Sequence, residues 1–189
     1  MLSQLTIALM RLSGHLPLPW LRAMGVVLGW VLYATVASRT RVVLTNLGLC
    51  FGQLTLPQRK TLSRQVFVHF AQAWLDRGWL WHGAPELVRK RLVLTGSTQE
   101  LIGSDPVVIF SPHFVGLDAG WTALTQQLPR QFTTIYTDQA NKVMDAWILK
   151  GRQRFGKVQL FGRADGVKTI VASMRRGVAL YLLPDMNFG

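Results

Sequence analysis

The chain has 189 residues, 49% of them apolar and 16% charged, with 21 Lys and Arg against nine acidic residues and a net charge of +12. That length fits one ordinary domain able to bury a core, and the cationic excess suits a polyanion: nucleic acid, anionic lipid headgroups or a phosphorylated substrate. The single cysteine, Cys50, excludes an intrachain disulfide, a CxxC pair and a cysteine-based metal site, and His15, His69, His82 and His113 show no HExxH spacing that would support zinc.

The first organised stretch is AMGVVLGWVLYATVA at 23–37, uncharged throughout, preceded by Pro17, Pro19 and Arg22 and followed by Arg39 and Arg41. A full membrane span needs about 20 predominantly apolar residues. Adding 16–21 approaches that length but places Arg22 inside. No small-residue cleavage site follows, which argues against a signal peptide. The stretch reads as a membrane anchor, either a short span or a helix embedded in one leaflet; a buried core helix is the other reading. After RVVLTNLGLCF at 41–51 comes a predicted helix from Pro57 to about Trp81. Pro57 suits the first helical position, and Leu62, Val66, Phe70 and Trp74 recur on one face. Trp74, Trp79 and Trp81 gather at its end with Arg77 and His82, a composition at home at a membrane interface or packed under loops. His69 reads as structural.

From residue 91 the pattern alternates. RLVLTG (91–96), PVVIF (106–110), FTTIY (132–136), KVQLF (157–161) and VALYLL (178–183) read as strands, with helices at 116–128, 141–155 and 166–176. Continuous apolar strands separated by helices imply an α/β fold with a mostly parallel sheet flanked by helices. The chain divides into a membrane-associated helical segment (1–40), a helical region (41–90) and an α/β core (91–189), without repeats, low-complexity segments or a clear linker.

Ligand sites in such sheets lie at the carboxyl ends of strands, where IFSPHFVGLDAG (109–120) falls. Ser111-Pro112 breaks the strand, and Gly116 lets the chain turn into the next helix. His113 then sits in the loop and Asp118 in the first helical turn, within reach of an imidazole–carboxylate hydrogen bond. Such a bond would fix the tautomer and favour the imidazolium. With no GxSxG elbow and Cys50 far upstream, nothing supplies a protein nucleophile. The fitting chemistry is a histidine base that deprotonates a substrate hydroxyl, which attacks an activated acyl group with no acyl-enzyme and no cofactor. A satisfied loop histidine beside a carboxylate that serves only the helix N-terminus is the alternative.

HFVGLD resembles the His-x4-Asp motif of glycerolipid acyltransferases, and the wider chain resembles their bacterial lipid A branch, the late acyltransferases that add lauroyl or myristoyl groups. RVVLTNLGLCF, GRQRFG (151–156) and the closing FGRADGVKTIVASMRRGVALYLLPDMNFG follow that family's order. The resemblance implies acyl carrier protein as donor, a hydroxyl of a lipid A precursor as acceptor, and the cytoplasmic face of the bacterial inner membrane as location. It implies His113 as the base and Asp118 as its orienting partner. Arg152 and Arg163 fall at positions linked to phosphate binding or catalysis, with Arg154 a neighbour able to replace either. Asp185 and Asn187, implied as substrate-binding residues, fall in the closing motif, where the family reads Pro-Asp-Gln-Asp-Phe-Gly and this chain has Asn at the second Asp.

Anionic lipid on one side and an acidic carrier on the other would account for the apolar bias and the basic charge together. The chain ends inside the closing motif, so the expectation is a C-terminally truncated core whose final strand forms an unprotected edge. An inactive, lipid-binding relative of the enzyme, or a transferase acting on another glycolipid or glycerol phosphate, is the rival reading. Nucleic-acid binding has no module pattern behind it.

Overall fold

The computed structural model describes residues 2–185. Five helices come first: α1 (Leu2–Ser13), α2 (Leu18–Thr35), α3 (Ala37–Cys50), α4 (Leu56–His82) and α5 (Pro85–Arg91). The α/β part follows as β1 (Val108–Phe110), α6 (Leu117–Gln127), β2 (Phe132–Tyr136), α7 (Lys142–Arg152), β3 (Val158–Gly162), α8 (Gly166–Arg175) and β4 (Ala179–Leu182).

Helix α2 begins five residues before the uncharged stretch and takes Arg22 into its second turn. Pro19 suits the first turn because its missing N–H is not needed there, and the Arg22 guanidinium is neutralised by Asp76 of α4. The helix is 18 residues long with mean hydropathy 1.3 and is only 17% buried. It is therefore not the core helix that its sequence also allowed; Trp20, Val27, Trp30 and Val31 face outward. What it buries is a small-residue stripe. Gly25 and Gly29 lie against Gln72 and Val68 of α4, where a Cβ on Gly29 would stand 2.5 Å from the Val68 Cα. One turn of spacing between two glycines lets the two backbones approach along a shared face.

Helix α4 starts where Gln58 Oε1 accepts the Thr55 N–H at 2.8 Å, satisfying one orphan donor of the first turn. Its tryptophans resolve the second ambiguity. Trp79 and Trp81 are buried and build a core with Ile7, Met10, Leu21, Leu75, Leu80, Val88 and Trp147, while Trp74 packs half-buried against it. The aromatic cluster is thus internal packing between α1, α4, α5 and α7. Trp147 Nε1 donates to His82 Nε2 at 2.9 Å. Burial, followed by the charges of Arg11, Arg154, Lys150 and His15, lowers the His82 pKa and keeps it a neutral acceptor.

The sheet is parallel throughout, in the order β1-β4-β2-β3. The chain steps over one place from β1 to β2 and one further to β3, then returns through α8 to insert β4 between β1 and β2. Helix α6 covers one face around Trp121, Phe132, Ala179 and Tyr181, and α8 covers the other around Phe161, Ile170 and Leu180. Two expectations are corrected here. The final strand is not an edge: Val178, Ala179, Leu180 and Tyr181 are all buried, and a segment apolar on both faces belongs at the sheet's centre. The predicted strand at 91–96 does not form. Arg91 closes α5, and the following extended residues have no strand partner among the described residues, leaving Val93 exposed. Apolar alternation allows a strand, but only pairing makes one.

Candidate active site

The site forms where the carboxyl ends of all four strands meet, as expected for an open parallel sheet. Past β1, Ser111 extends the ladder by donating its N–H to Leu182 O at 2.9 Å, and its hydroxyl meets the Tyr181 hydroxyl at 2.7 Å. Pro112 then ends the strand, and Phe114 N–H folds back to Pro112 O at 2.7 Å, turning His113 out at the tip. Gly116 starts α6 with φ +93°, a left-handed conformation that glycine adopts without a Cβ penalty.

His113 borders two cavities. The larger, about 680 Å³, lies between α6 and α8 and is walled by Leu117, Trp121, Ile135, Val167, Ile170 and Leu182 among others. The smaller, about 330 Å³, lies toward α4, with Phe70, Trp74, Arg77, Leu80, Phe114 and Val115 on its walls. His113, Leu117, Asp118 and Arg152 line both.

The hydrogen bond expected between His113 and Asp118 is not made. His113 Nδ1 lies 2.7 Å from Asp185 Oδ1, and the His113 backbone N–H donates to Asp185 Oδ2 at 2.8 Å. Those two bonds from His113 hold the Asp185 carboxyl below its ordinary value, so it is ionised and accepts the proton on Nδ1. With Nδ1 turned to that carboxylate, Nε2 is the ring nitrogen left to take a proton from a substrate. Asp118 instead takes a guanidinium on each oxygen: Arg152 Nε at 2.9 Å on Oδ1 and Arg77 Nε at 2.8 Å on Oδ2. Burial by itself would raise the Asp118 carboxyl. Arg152 and then Arg77, through charge and hydrogen bonds, outweigh it and hold the carboxyl below the usual range.

Arg152 is fixed on three sides. Its carbonyl accepts the Trp121 indole N–H at 2.7 Å, and its guanidinium lies 5.6 Å from the centre of the Tyr136 ring as well as on Asp118. Tyr136 in turn donates to Asp145 at 2.7 Å. Its phenol pKa is raised, first by burial and then by that bond, so it stays neutral. Arg154 does not stand in for Arg152: its guanidinium donates to the carbonyls of Leu80, at 2.8 Å, and Gly83 and caps the end of α4. Arg163 opens a 3-10 turn directly after β3, and its side chain lies outside what the structure describes. Asn187 also lies outside the described residues.

The structure thus brings His113, Asp118, Arg152 and Asp185 to one place and adds Arg77, which the sequence placed only among tryptophans. A signal was present: an arginine within WLDRGWLW has to find a carboxylate or an aromatic face once its helix is packed.

A search of known families matches residues 1–189 to the bacterial lipid A biosynthesis acyltransferase model. A lipid A biosynthesis acyltransferase of Haemophilus influenzae is 30% identical over 165 residues, 85% of this chain and 50% of the relative. A lipid A biosynthesis palmitoleoyltransferase of Escherichia coli K12 is 25% identical over 178 residues, covering 93% and 57%. A myristoyltransferase of the same strain is 30% identical over 155 residues, covering 80% and 47%. The chain spans about half the length of the relatives it matches. With a family match over its whole length, the chain belongs to the bacterial lipid A biosynthesis acyltransferases.

Proposed function

We propose that this chain carries the acyl-transfer centre of an enzyme that moves a fatty acyl group from acyl carrier protein to a hydroxyl of a lipid A precursor. The observation that carries the reading is His113, held through Nδ1 by Asp185 at the junction of two cavities, with no hydrogen bond on Nε2 among the described residues. His113 Nε2 takes the proton as the acceptor oxygen bonds to the thioester carbonyl carbon. The tetrahedral adduct collapses by breaking the carbon–sulfur bond, and the imidazolium returns its proton to the departing thiolate. Asp185 stabilises the imidazolium between those events, and Arg152 at the cavity junction supports the oxyanion. The larger, mostly apolar cavity suits an acyl chain.

Helix α2, apolar and mostly unburied, supports attachment to the bilayer from which the acceptor is drawn. The cytoplasmic face of the inner membrane gives access to both lipid and carrier. The basic surface would speed encounter with an acidic carrier by steering.

The test is transfer of acyl groups from loaded carrier protein to a lipid A precursor by the purified chain in detergent. The wild-type chain should turn over, and His113→Ala should abolish transfer while its tryptophan fluorescence and melting curve stay those of the wild type. Equal transfer by the variant would remove His113 as the base. The absence of transfer by the wild type would favour a lipid-binding role. Glycerol phosphate offered beside the lipid A precursor identifies the acceptor.

A further inference from the structure

We infer that the smaller cavity is a receptor for a phosphoryl group, gripped between Arg77 of α4 and Arg152 of α7. The inference deepens the proposed function, because this cavity belongs to the same site, but it concerns binding and is tested by binding.

The geometry around Asp118 is not that of an ordinary structural ion pair. One arginine satisfies a carboxylate by a bidentate fork, two parallel N–H bonds to its two oxygens. Here two arginines from different helices each give one Nε–H to a different oxygen, at 2.8 and 2.9 Å. A guanidinium carries five N–H donors, so four remain on each. Among the described residues, no acceptor takes any of them.

What holds the two planes otherwise are aromatic faces, which fix orientation without accepting those protons. Arg77 lies 5.8 Å from the ring centre of Trp74 and 5.4 Å from that of Trp81, and Arg152 lies over Tyr136. Both arginines line the smaller cavity. The other acid on its wall, Asp76, is engaged by Arg22 and by the Trp79 indole N–H.

Charge leads to the same ligand. Two guanidiniums share one buried carboxylate, which leaves a net positive charge in a cavity whose other walls include Ala73, Leu80, Leu117 and Phe114. Apolar walls strengthen attraction for an anion that enters. The guanidinium fork matches phosphate as it does carboxylate, and each of these arginines still has four N–H donors to offer. The first turn of α6 also borders the cavity at Gly116 and Leu117 and presents the positive end of an 11-residue helix. Because the cavity shares His113 with the larger one, a phosphoryl group held here belongs to a molecule that reaches the base.

The phosphodiester arm of a carrier-bound acyl thioester and a phosphate on the acceptor sugar share this chemistry. Isothermal titration of the full chain in detergent with inorganic phosphate is the first measurement, followed by 4′-phosphopantetheine and glucosamine 1-phosphate. Arg77→Gln should weaken phosphate at least about tenfold. Arg77→Lys should fall between, since a point charge replaces one limb of the fork.

Where inorganic phosphate is weakened, a parallel loss for phosphopantetheine and not the sugar phosphate assigns the cavity to the donor, and the reverse assigns it to the acceptor. In case Arg77 variants fail to fold, phosphate should protect Arg77 and Arg152 of the wild type from phenylglyoxal, read by peptide mapping. Unaltered phosphate affinity in folded Arg77→Gln, or no protection of these two arginines, overturns the inference. Either result stands whether or not His113→Ala abolishes transfer.

Discussion

Replacing Asp118 with Asn separates the role the structure gives this carboxylate from the one its spacing to His113 suggests. Asp118 accepts two charge-assisted hydrogen bonds, and its side chain is 10% exposed. Such bonds contribute about 1.5–3 kcal/mol each, so the pair amounts to about 3–6 kcal/mol before corrections. Asn keeps the shape, and its amide oxygen still accepts one bond. The side chains of Arg77 and Arg152 are 22% and 27% exposed, so each regains some hydration. These offsets leave a net loss of about 2–3 kcal/mol. For a chain of this size that lowers the melting temperature by roughly 4–12 °C.

The assay is thermal unfolding in detergent at pH 7, followed by tryptophan fluorescence. Acid gives the sign. The folded Asp118 carboxyl is held below its unfolded value. Its contribution is therefore fully present above the unfolded pKa, about 3.9, and is lost as pH falls through the folded value. The gap between wild type and variant should close below about pH 4. A gap under about 0.5 kcal/mol at pH 7, or one unchanged by acid, would refute the picture of Asp118 as the anchor of two arginines.

Asp185→Asn should behave in the opposite way. Its pair with His113 is exposed, so the melting temperature should not move, whereas loss of the carboxylate on Nδ1 should cut acyl transfer by about 10²-fold or more; unchanged transfer would remove Asp185 from the mechanism. Gly29→Val should push α2 away from α4, because its Cβ would meet Val68 backbone atoms at 2.5 and 2.7 Å. Overpacking of this kind costs about 1–3 kcal/mol, and the melt should fall for Gly29→Val but not for Val27→Ala on the outer face of the same helix.

Much of the fold was legible because its signals are local. The apolar runs at 132–136, 157–161 and 178–183 became β2, β3 and β4 within about a residue, and the periodic stretch from Pro57 to Trp81 became α4. The short run at 91–96 misled, because alternation records a preference and pairing depends on whether a partner strand lies alongside. Helix α1 falls within the helical segment expected at 1–40 but had no bounds of its own there, since its buried positions Ile7, Met10 and Ser13 gain meaning only against α4 and α7.

By itself the sequence determined the α/β alternation, the loop that presents His113 at a strand's carboxyl end, and the family to which these residues belong. These follow from backbone propensity and from residues within a few positions of one another. Tertiary structure alone decided that the last strand lies between β1 and β2 and that Asp185 holds His113. It also brought Arg77, 41 residues before Asp118, onto the carboxylate that spacing had given to histidine. A carboxylate goes to the strongest donors that packing delivers, and no separation along the chain states which helices will meet.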